Sequence, residues 1–150
     1  MPSDREIVVM RDFRAPKSAV FEAWTKSDHV KRWYPCAIFT MPVCEIDLRV
    51  GGKWRFVQRM STDGSEHALS GEYVEIDRPS RLVFTERYEP VPGSDHVVTV
   101  TFEEHHGITT VTQQFLHPSK TNRDMHLASG MENGLAETFE RLDAVLAELS

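Results

Sequence analysis

The sequence is poor in cysteine, in positive charge and in long apolar runs, and each shortage excludes a class of protein. It has only two cysteines, Cys36 and Cys44, so we expect reduced thiols, with a disulfide between them as the less favoured alternative. Acidic residues outnumber basic ones by 23 to 17, which argues against nucleic acid as a partner. No stretch approaches the roughly 20 apolar residues of a membrane helix, so we expect no membrane span.

Several signatures of chemistry are also missing. The sequence contains no Gly-x-Ser-x-Gly, no Walker phosphate loop, no thiol-enzyme signature and no His-x-x-x-His pair on a helix. His105 and His106 fall in a predicted turn, and His117 and His126 flank the start of the last predicted helix. We therefore expect no metal site and no cofactor. The first residues lack the layout of a signal peptide, so we expect a cytoplasmic protein.

The clearest periodic pattern lies near the C-terminus and predicts one long helix over residues 122–149. Its apolar stripe consists of Met131, Leu135, Leu142, Leu146 and Leu149, widened by Ala128, Phe139 and Val145. Gly130 and Gly134 lie within this helix, where each glycine costs roughly 1 kcal/mol relative to alanine. We therefore expect these glycines to have a structural or functional reason, either close packing or room for a ligand.

The rest of the chain supplies a sheet that can cover this stripe. The pattern predicts a strand over residues 6–13, short helices over 17–25 and 27–33, a loop to Pro42, and then strands over 45–48, 53–58, 71–77, 81–88, 96–104 and 108–115. Short turns between consecutive strands imply antiparallel pairing. The sequence therefore predicts one α+β domain over residues 1–150, in which a curved antiparallel sheet of about six to seven strands surrounds the last helix.

Several segments resemble those of a known family. They are Ala15-Pro16, residues 20–25, Arg32-Trp33, and residues 45–54, 71–76, 81–85 and 129–134. Together they resemble the activator of heat-shock-protein-90 ATPase homologue family of the START-like (SRPBCC, Bet v 1-like, polyketide cyclase-like) superfamily. The resemblance implies a helix-grip fold with a cavity between the sheet and the C-terminal helix. It implies no single activity, because the superfamily includes lipid carriers, cyclases, hydrolases and chaperone helpers.

Strand alternation predicts which side chains line that cavity. The apolar face carries about one polar residue per strand, which is typical of a small-molecule site. The predicted lining is Trp33, Phe39, Trp54, Phe56, Gln58, Glu72, Phe84, Glu86, Tyr88, Phe102, Gln113, Phe115, Met131, Leu135 and Thr138. Purely structural roles for these residues also remain open; Glu86, for example, can pair with Arg55 or Arg87. In addition, a register slip of one residue turns the whole set to the outer face of the sheet.

Three functions remain open. The first is binding of a small hydrophobic or amphipathic ligand in the cavity. The second is a cyclase or dehydratase reaction in which Glu86 acts as acid or base, with its pKa raised by desolvation. The third is an interaction protein with a chaperone or other protein partner and a cavity filled by side chains. An open cavity favours the first two over the third, and a homodimer is compatible with all of them.

Overall fold

The structure, a computed structural model, describes residues 4–35, 38–91 and 93–149. The elements in chain order are β1 (Glu6–Phe13), α1 (Lys17–Thr25), α2 (Ser27–Trp33), β2 (Phe39–Ile46), β3 (Lys53–Met60), β4 (Glu66–Asp77), β5 (Arg81–Tyr88), β6 (His96–His105), β7 (Ile108–Leu116), α3 (Lys120–Ala128) and α4 (Met131–Leu149). The predicted α+β class, the two short helices after the first strand and the long C-terminal helix are confirmed.

The seven strands form one antiparallel, curved sheet in the order β1-β7-β6-β5-β4-β3-β2. All strands from β2 to β7 pair with their neighbours in sequence, as short connections require. The turn from β6 to β7 contains the exposed His106 and Gly107, both with positive φ. Only β1 breaks the sequential order, because it pairs with β7. None of the described helices is long and apolar enough to cross a membrane.

The second strand begins earlier than the sequence predicts. The residues before Pro42 are predicted to form a loop, but β2 starts at Phe39 and includes this proline. Proline has no N–H to donate, so it is tolerated mainly in edge strands and at bulges. β2 is an edge strand, and its pairing register with β3 shifts between Thr40 and Val43.

The prediction of one unbroken helix over residues 122–149 is wrong. The chain forms two helices, α3 and α4, and Gly130 at the junction has φ +82°. This left-handed conformation ends helices and is cheap only for glycine. α3 has no buried residue, whereas Phe139, Leu142, Val145 and Leu146 of α4 are buried. The apolar stripe thus belongs chiefly to α4.

α4 is held most tightly in its second half. The ring of Phe139 packs edge-on against Phe13 of β1, with 5.6 Å between ring centroids, and lies 6.0 Å from Trp24 of α1. Leu135 and Met131, one and two turns earlier, are only half-buried. The first half of α4 therefore leaves space above the sheet.

Gly71 and Gly134 differ in the space around them: Gly71 is tightly packed, whereas Gly134 faces open space. A Cβ at Gly134 would meet no described atom within 4 Å, so close packing does not account for this glycine. A Cβ at Gly71 in β4 would lie 1.8 Å from the backbone oxygen of Thr85 and 2.7 Å from Nε1 of Trp54. Gly71 is therefore required by the close approach of β5, and Gly134 leaves open space beside α4.

We expect Gly71→Ala to lower the free energy of unfolding by about 2 kcal/mol or more, because the added methyl group collides with backbone that cannot move aside. Gly134→Ala serves as the matched control and should raise it by roughly 0.5–1 kcal/mol, since alanine favours the helix and the space is open. Urea unfolding followed by circular dichroism measures both changes. Equal effects of the two substitutions would contradict the assigned roles.

Candidate functional site

A cavity of about 350 Å³ lies between the inner face of the sheet and the first half of α4. Its wall combines side chains from strands β2 to β7 with others from all four helices. Most of the predicted lining residues face this one space. They are Trp33, Phe39, Trp54, Phe56, Gln58, Phe84, Glu86, Gln113, Phe115, Met131, Leu135 and Thr138.

Glu72 does not face the cavity. It is exposed and lies in a shallow outer groove, while its neighbour Tyr73 is buried and faces inward. Strict alternation places Glu72 on the same face as Val74 and Ile76, which is why Glu72 was predicted to line the cavity. The pairing of β4 with β5 shifts between Tyr73 and Glu75, and a β-bulge of this kind breaks the period of two.

Phe102 and Tyr88 also lie outside the cavity wall, for reasons of position along the strand. Phe102 faces inward near the end of β6, but the rings of Phe21 and Trp24 in α1 cover it, with centroids 5.4 and 5.8 Å away. Tyr88 lies beyond the other end and lines a neighbouring cavity, where its hydroxyl is 2.7 Å from Nδ1 of His67. Alternation predicts the face of a residue but not how far along the strand the cavity reaches.

Several lining residues were not predicted. They are Trp24, Val30, Tyr34, Leu69, Tyr73, Leu82, Val98, His126, Ser129, Gly134 and Phe139. Val98 and Leu82 lie on the same inward-facing rows as the predicted residues, so alternation was a sufficient signal for them. The residues of α1, α2 and α3 depend on how those helices dock, which no local pattern indicates.

One end of the cavity is aromatic. The rings of Trp24 and Trp33 are 4.8 Å apart, those of Tyr34 and Phe56 are 5.0 Å apart, and Trp54 lies 4.8 Å from Phe56. The chain has three tryptophans, and all of them line the cavity. Tilted and edge-on ring pairs of this kind form a rigid apolar wall.

The other end of the cavity is polar and centres on Glu86. Its Oε1 accepts a hydrogen bond from Nε2 of His96 at 3.0 Å, and Nδ1 of His96 donates to the backbone oxygen of Ser94 at 2.9 Å. Burial alone lowers the pKa of His96, but the hydrogen bond and the negative charge of Glu86 outweigh it, so the pKa is raised. Glu86 is thus paired with a histidine rather than with Arg55 or Arg87, which bind Glu89 and Asp95.

Two more histidines lie beside this pair. Nε2 of His117 is 3.0 Å from Nδ1 of His126, and the His117 ring stacks on His96 with 4.4 Å between centroids. Burial, followed by the charges of His96 and His126, lowers the pKa of His117 to about 4. Burial also lowers the pKa of His126. Within the described residues, His96, His117 and His126 are the one group whose arrangement could hold a metal ion.

A second cavity of about 530 Å³ adjoins the histidines on the side of α3. Glu86 and His126 line both cavities, whereas His96, His117 and Met125 line only the second. The polar group therefore lies between two spaces, one of which is the aromatic-walled cavity beneath α4.

Comparisons with known proteins place the chain in a family. Residues 14–147 match the family model described as Activator of Hsp90 ATPase homolog 1-like protein. The chain belongs to this family. No functionally curated protein matches the sequence.

Solved structures of similar proteins share the fold of this family member. A crystal structure of a protein from Rhodobacter sphaeroides is 24% identical over 99% of this chain and 96% of that one, with a TM-score of 0.91. A protein from Nitrosomonas europaea is 21% identical over 98% and 97%, with a TM-score of 0.86. An AHSA1-like protein from Aeromonas hydrophila is 22% identical over 97% and 95%, with a TM-score of 0.78. At these identities the likeness shows the fold alone.

Cys44 of this family member is a poor nucleophile. It is a half-buried free thiol whose Sγ lies 3.8 Å from the backbone oxygen of Ser27. Burial raises its pKa to about 11, against 9.0 for an ordinary thiol. Only the thiolate attacks electrophiles, so Cys44 is almost entirely in its unreactive form at neutral pH. Cys36 lies outside the described residues.

We expect Cys44 to react with iodoacetamide about 100-fold more slowly in the folded protein than in the urea-unfolded protein at pH 7.5, because the higher pKa reduces the thiolate fraction by that factor. The measurement uses the Cys36→Ser variant, which leaves one cysteine, and follows the mass added over time. Equal rates in the two states would show that the Cys44 thiol is accessible and ordinary.

Proposed function

We propose that this protein binds a small, largely apolar molecule in the cavity between the sheet and α4. The cavity itself carries the proposal. Its volume of about 350 Å³ lies within the roughly 300–1,000 Å³ of small-molecule sites, and its wall is apolar with a few polar groups, as such sites are. A closed core would instead have favoured an interaction protein.

The arrangement of the wall indicates the shape of the ligand. The aromatic end, around Trp24, Trp33 and Trp54, suits a flat or ring-containing apolar body, which stacks on such surfaces. At the other end, the carboxylate of Glu86 accepts hydrogen bonds. Glu86 already accepts a hydrogen bond from His96 and keeps further acceptor positions, so the site suits a neutral donor such as a hydroxyl.

Gln113 supports a polar partner for the ligand. Its side chain is buried and lines the cavity, and its Oε1 is buried without a hydrogen-bond partner among the described residues. Leaving a buried acceptor unpaired costs about 1–3 kcal/mol. A ligand hydroxyl or a bound water molecule would satisfy this oxygen after a small rotation of the amide. The ligand we propose is therefore amphipathic rather than a pure hydrocarbon.

Two other functions have narrower support. The hydrogen-bonded Glu86–His96 pair at the cavity wall is an arrangement that acid–base catalysts use, which favours a cyclase-type enzyme as the second candidate. Family membership supports a chaperone partner, but no feature of the described residues identifies a surface for it. A turnover assay distinguishes the enzyme from a simple ligand-binding protein, and a pull-down with heat-shock protein 90 tests the chaperone partner.

We expect the neutral fluorophore N-phenyl-1-naphthylamine to bind the protein and to receive energy from its tryptophans, all of which line the cavity. Gly134→Met should weaken this binding by about tenfold or more, equivalent to roughly 1.4 kcal/mol, because the new side chain occupies the cavity. Tryptophan-excited emission of the fluorophore measures the affinity.

Asn133→Met is the matched control. It adds the same side chain at an exposed position on the same helix and should leave the affinity unchanged. Absence of sensitised emission in the wild type, or equal affinity in the two variants, would refute binding in this cavity. Native mass spectrometry of the purified protein then determines the mass of any natural occupant.

A further inference from the structure

Three histidines from three different elements meet at the end of the sheet beneath α3. They are His96 at the start of β6, His117 just after β7, and His126 in α3. Each offers a ring nitrogen, and the three nitrogens lie within 4.8 Å of one another. We propose that His96, His117 and His126 form a binding site for a Zn²⁺ ion. This site does not depend on the ligand proposed above.

The sheet fixes two of the three ligands. The register that pairs Val97 of β6 with Leu116 of β7 brings His96 opposite His117. Both side chains point to the inner face and are buried, at 9% and 3% exposure. Buried strand positions hold metal ligands more precisely than loops do.

α3 supplies the third ligand. The Oγ of Ser119 caps this helix by accepting from the backbone N–H of Asn122 at 3.1 Å, and the amide of Asn122 donates to the backbone oxygen of Gly93 at 2.9 Å. These bonds hold α3 over the end of the sheet. The ring of His126 consequently lies 5.5 Å from that of His96 and 5.1 Å from that of His117, measured between centroids.

The hydrogen bonds of His96 are those of a metal ligand. Its Nδ1 donates to the backbone oxygen of Ser94, which fixes the ring with Nε2 beside Glu86. Metal-binding histidines commonly donate their second nitrogen to a backbone carbonyl in this way. Zinc would take the place of the proton that Nε2 now shares with Glu86.

The hydrogen bond between His117 and His126 leaves one buried ring nitrogen of the cluster unsatisfied among the described residues. Nδ1 of His117 is buried and has no hydrogen-bond partner in the described part of the chain. Buried polar atoms are rarely left unpaired, so an unpaired ring nitrogen inside a cluster of imidazoles indicates a missing partner. A metal ion is the partner that imidazoles share best.

The geometry is close to that of zinc coordination. Nitrogens bound to one tetrahedral zinc at about 2.0–2.1 Å lie roughly 3.4 Å apart, so side-chain shifts of about 1.5 Å or less complete the site. The carboxylate of Glu86 beside His96 offsets the charge of the ion. The positive charge of Arg123 nearby is engaged by Asp124 at 2.8 Å. Three histidines leave a fourth position open for water, Glu86 or a polar group in either adjoining cavity.

This proposal reverses the expectation of no metal site at His117 and His126. Those two residues lie nine positions apart and match no zinc spacing. The third ligand, His96, is distant in sequence and joins them only through the pairing of β6 with β7.

The test is a titration of tag-free protein, freed of metal with EDTA, against ZnCl₂ in competition with a chromophoric chelator. We expect a stoichiometry near one ion per chain, and we expect His126→Gln to weaken binding by more than about 100-fold. His126 is the ligand of choice because it is less buried than the other two. Co²⁺ provides a second measurement, since a tetrahedral site gives it intense visible absorption.

His105→Gln is the matched control, because His105 is exposed at the end of β6 and distant from the cluster. It should bind zinc like the wild type. Circular dichroism confirms that each variant is folded, and His96→Gln replaces His126→Gln if the latter is not. The proposal is overturned if the wild type shows no stoichiometric binding, or if the folded ligand variant binds zinc as tightly as the control.

Discussion

The packing of the second half of α4 against the sheet is the interaction on which the rest of the structure depends. Phe139, Leu142 and Leu146 are almost fully buried there, and each such side chain contributes roughly 1.5–3 kcal/mol by leaving water. Met131 and Leu135 in the first half stay half-buried. The tightly packed part of α4 and the part that borders the cavity thus follow one another along a single helix.

In the proposed complex, the two ends of the cavity would provide different kinds of recognition. The aromatic end would contribute affinity through apolar area, which discriminates weakly among molecules of similar size. The polar end would contribute discrimination, because the buried amide oxygen of Gln113 penalises a ligand that leaves it unpaired. The half-buried carboxylate of Glu86 keeps acceptor positions beside its hydrogen bond to His96. Glu86 belongs to both the cavity wall and the histidine cluster, so the two sites share this one side chain.

Much of the fold and part of the site could be predicted from the sequence. The period of two placed Trp54, Phe84 and Gln113 on the inner face, because in a regular strand the apolar side chains of one face point to the core. The same rule failed at Glu72, where a bulge in β4 resets the alternation. Local rules also missed the helix break at Gly130, because a glycine within a helical pattern can lie either inside a helix or at the end of one. The histidine cluster depends on strand pairing and on the docking of α3, which local patterns do not encode.

The break at Gly130 divides the end of the chain into two helices with different roles. α4 packs against the sheet, and α3 covers the histidines and the second cavity. Because α3 buries none of its residues completely, we expect it to open at a lower free energy than the core. Opening of α3 alone would uncover the second cavity and leave Phe139, Leu142 and Leu146 of α4 packed against the sheet.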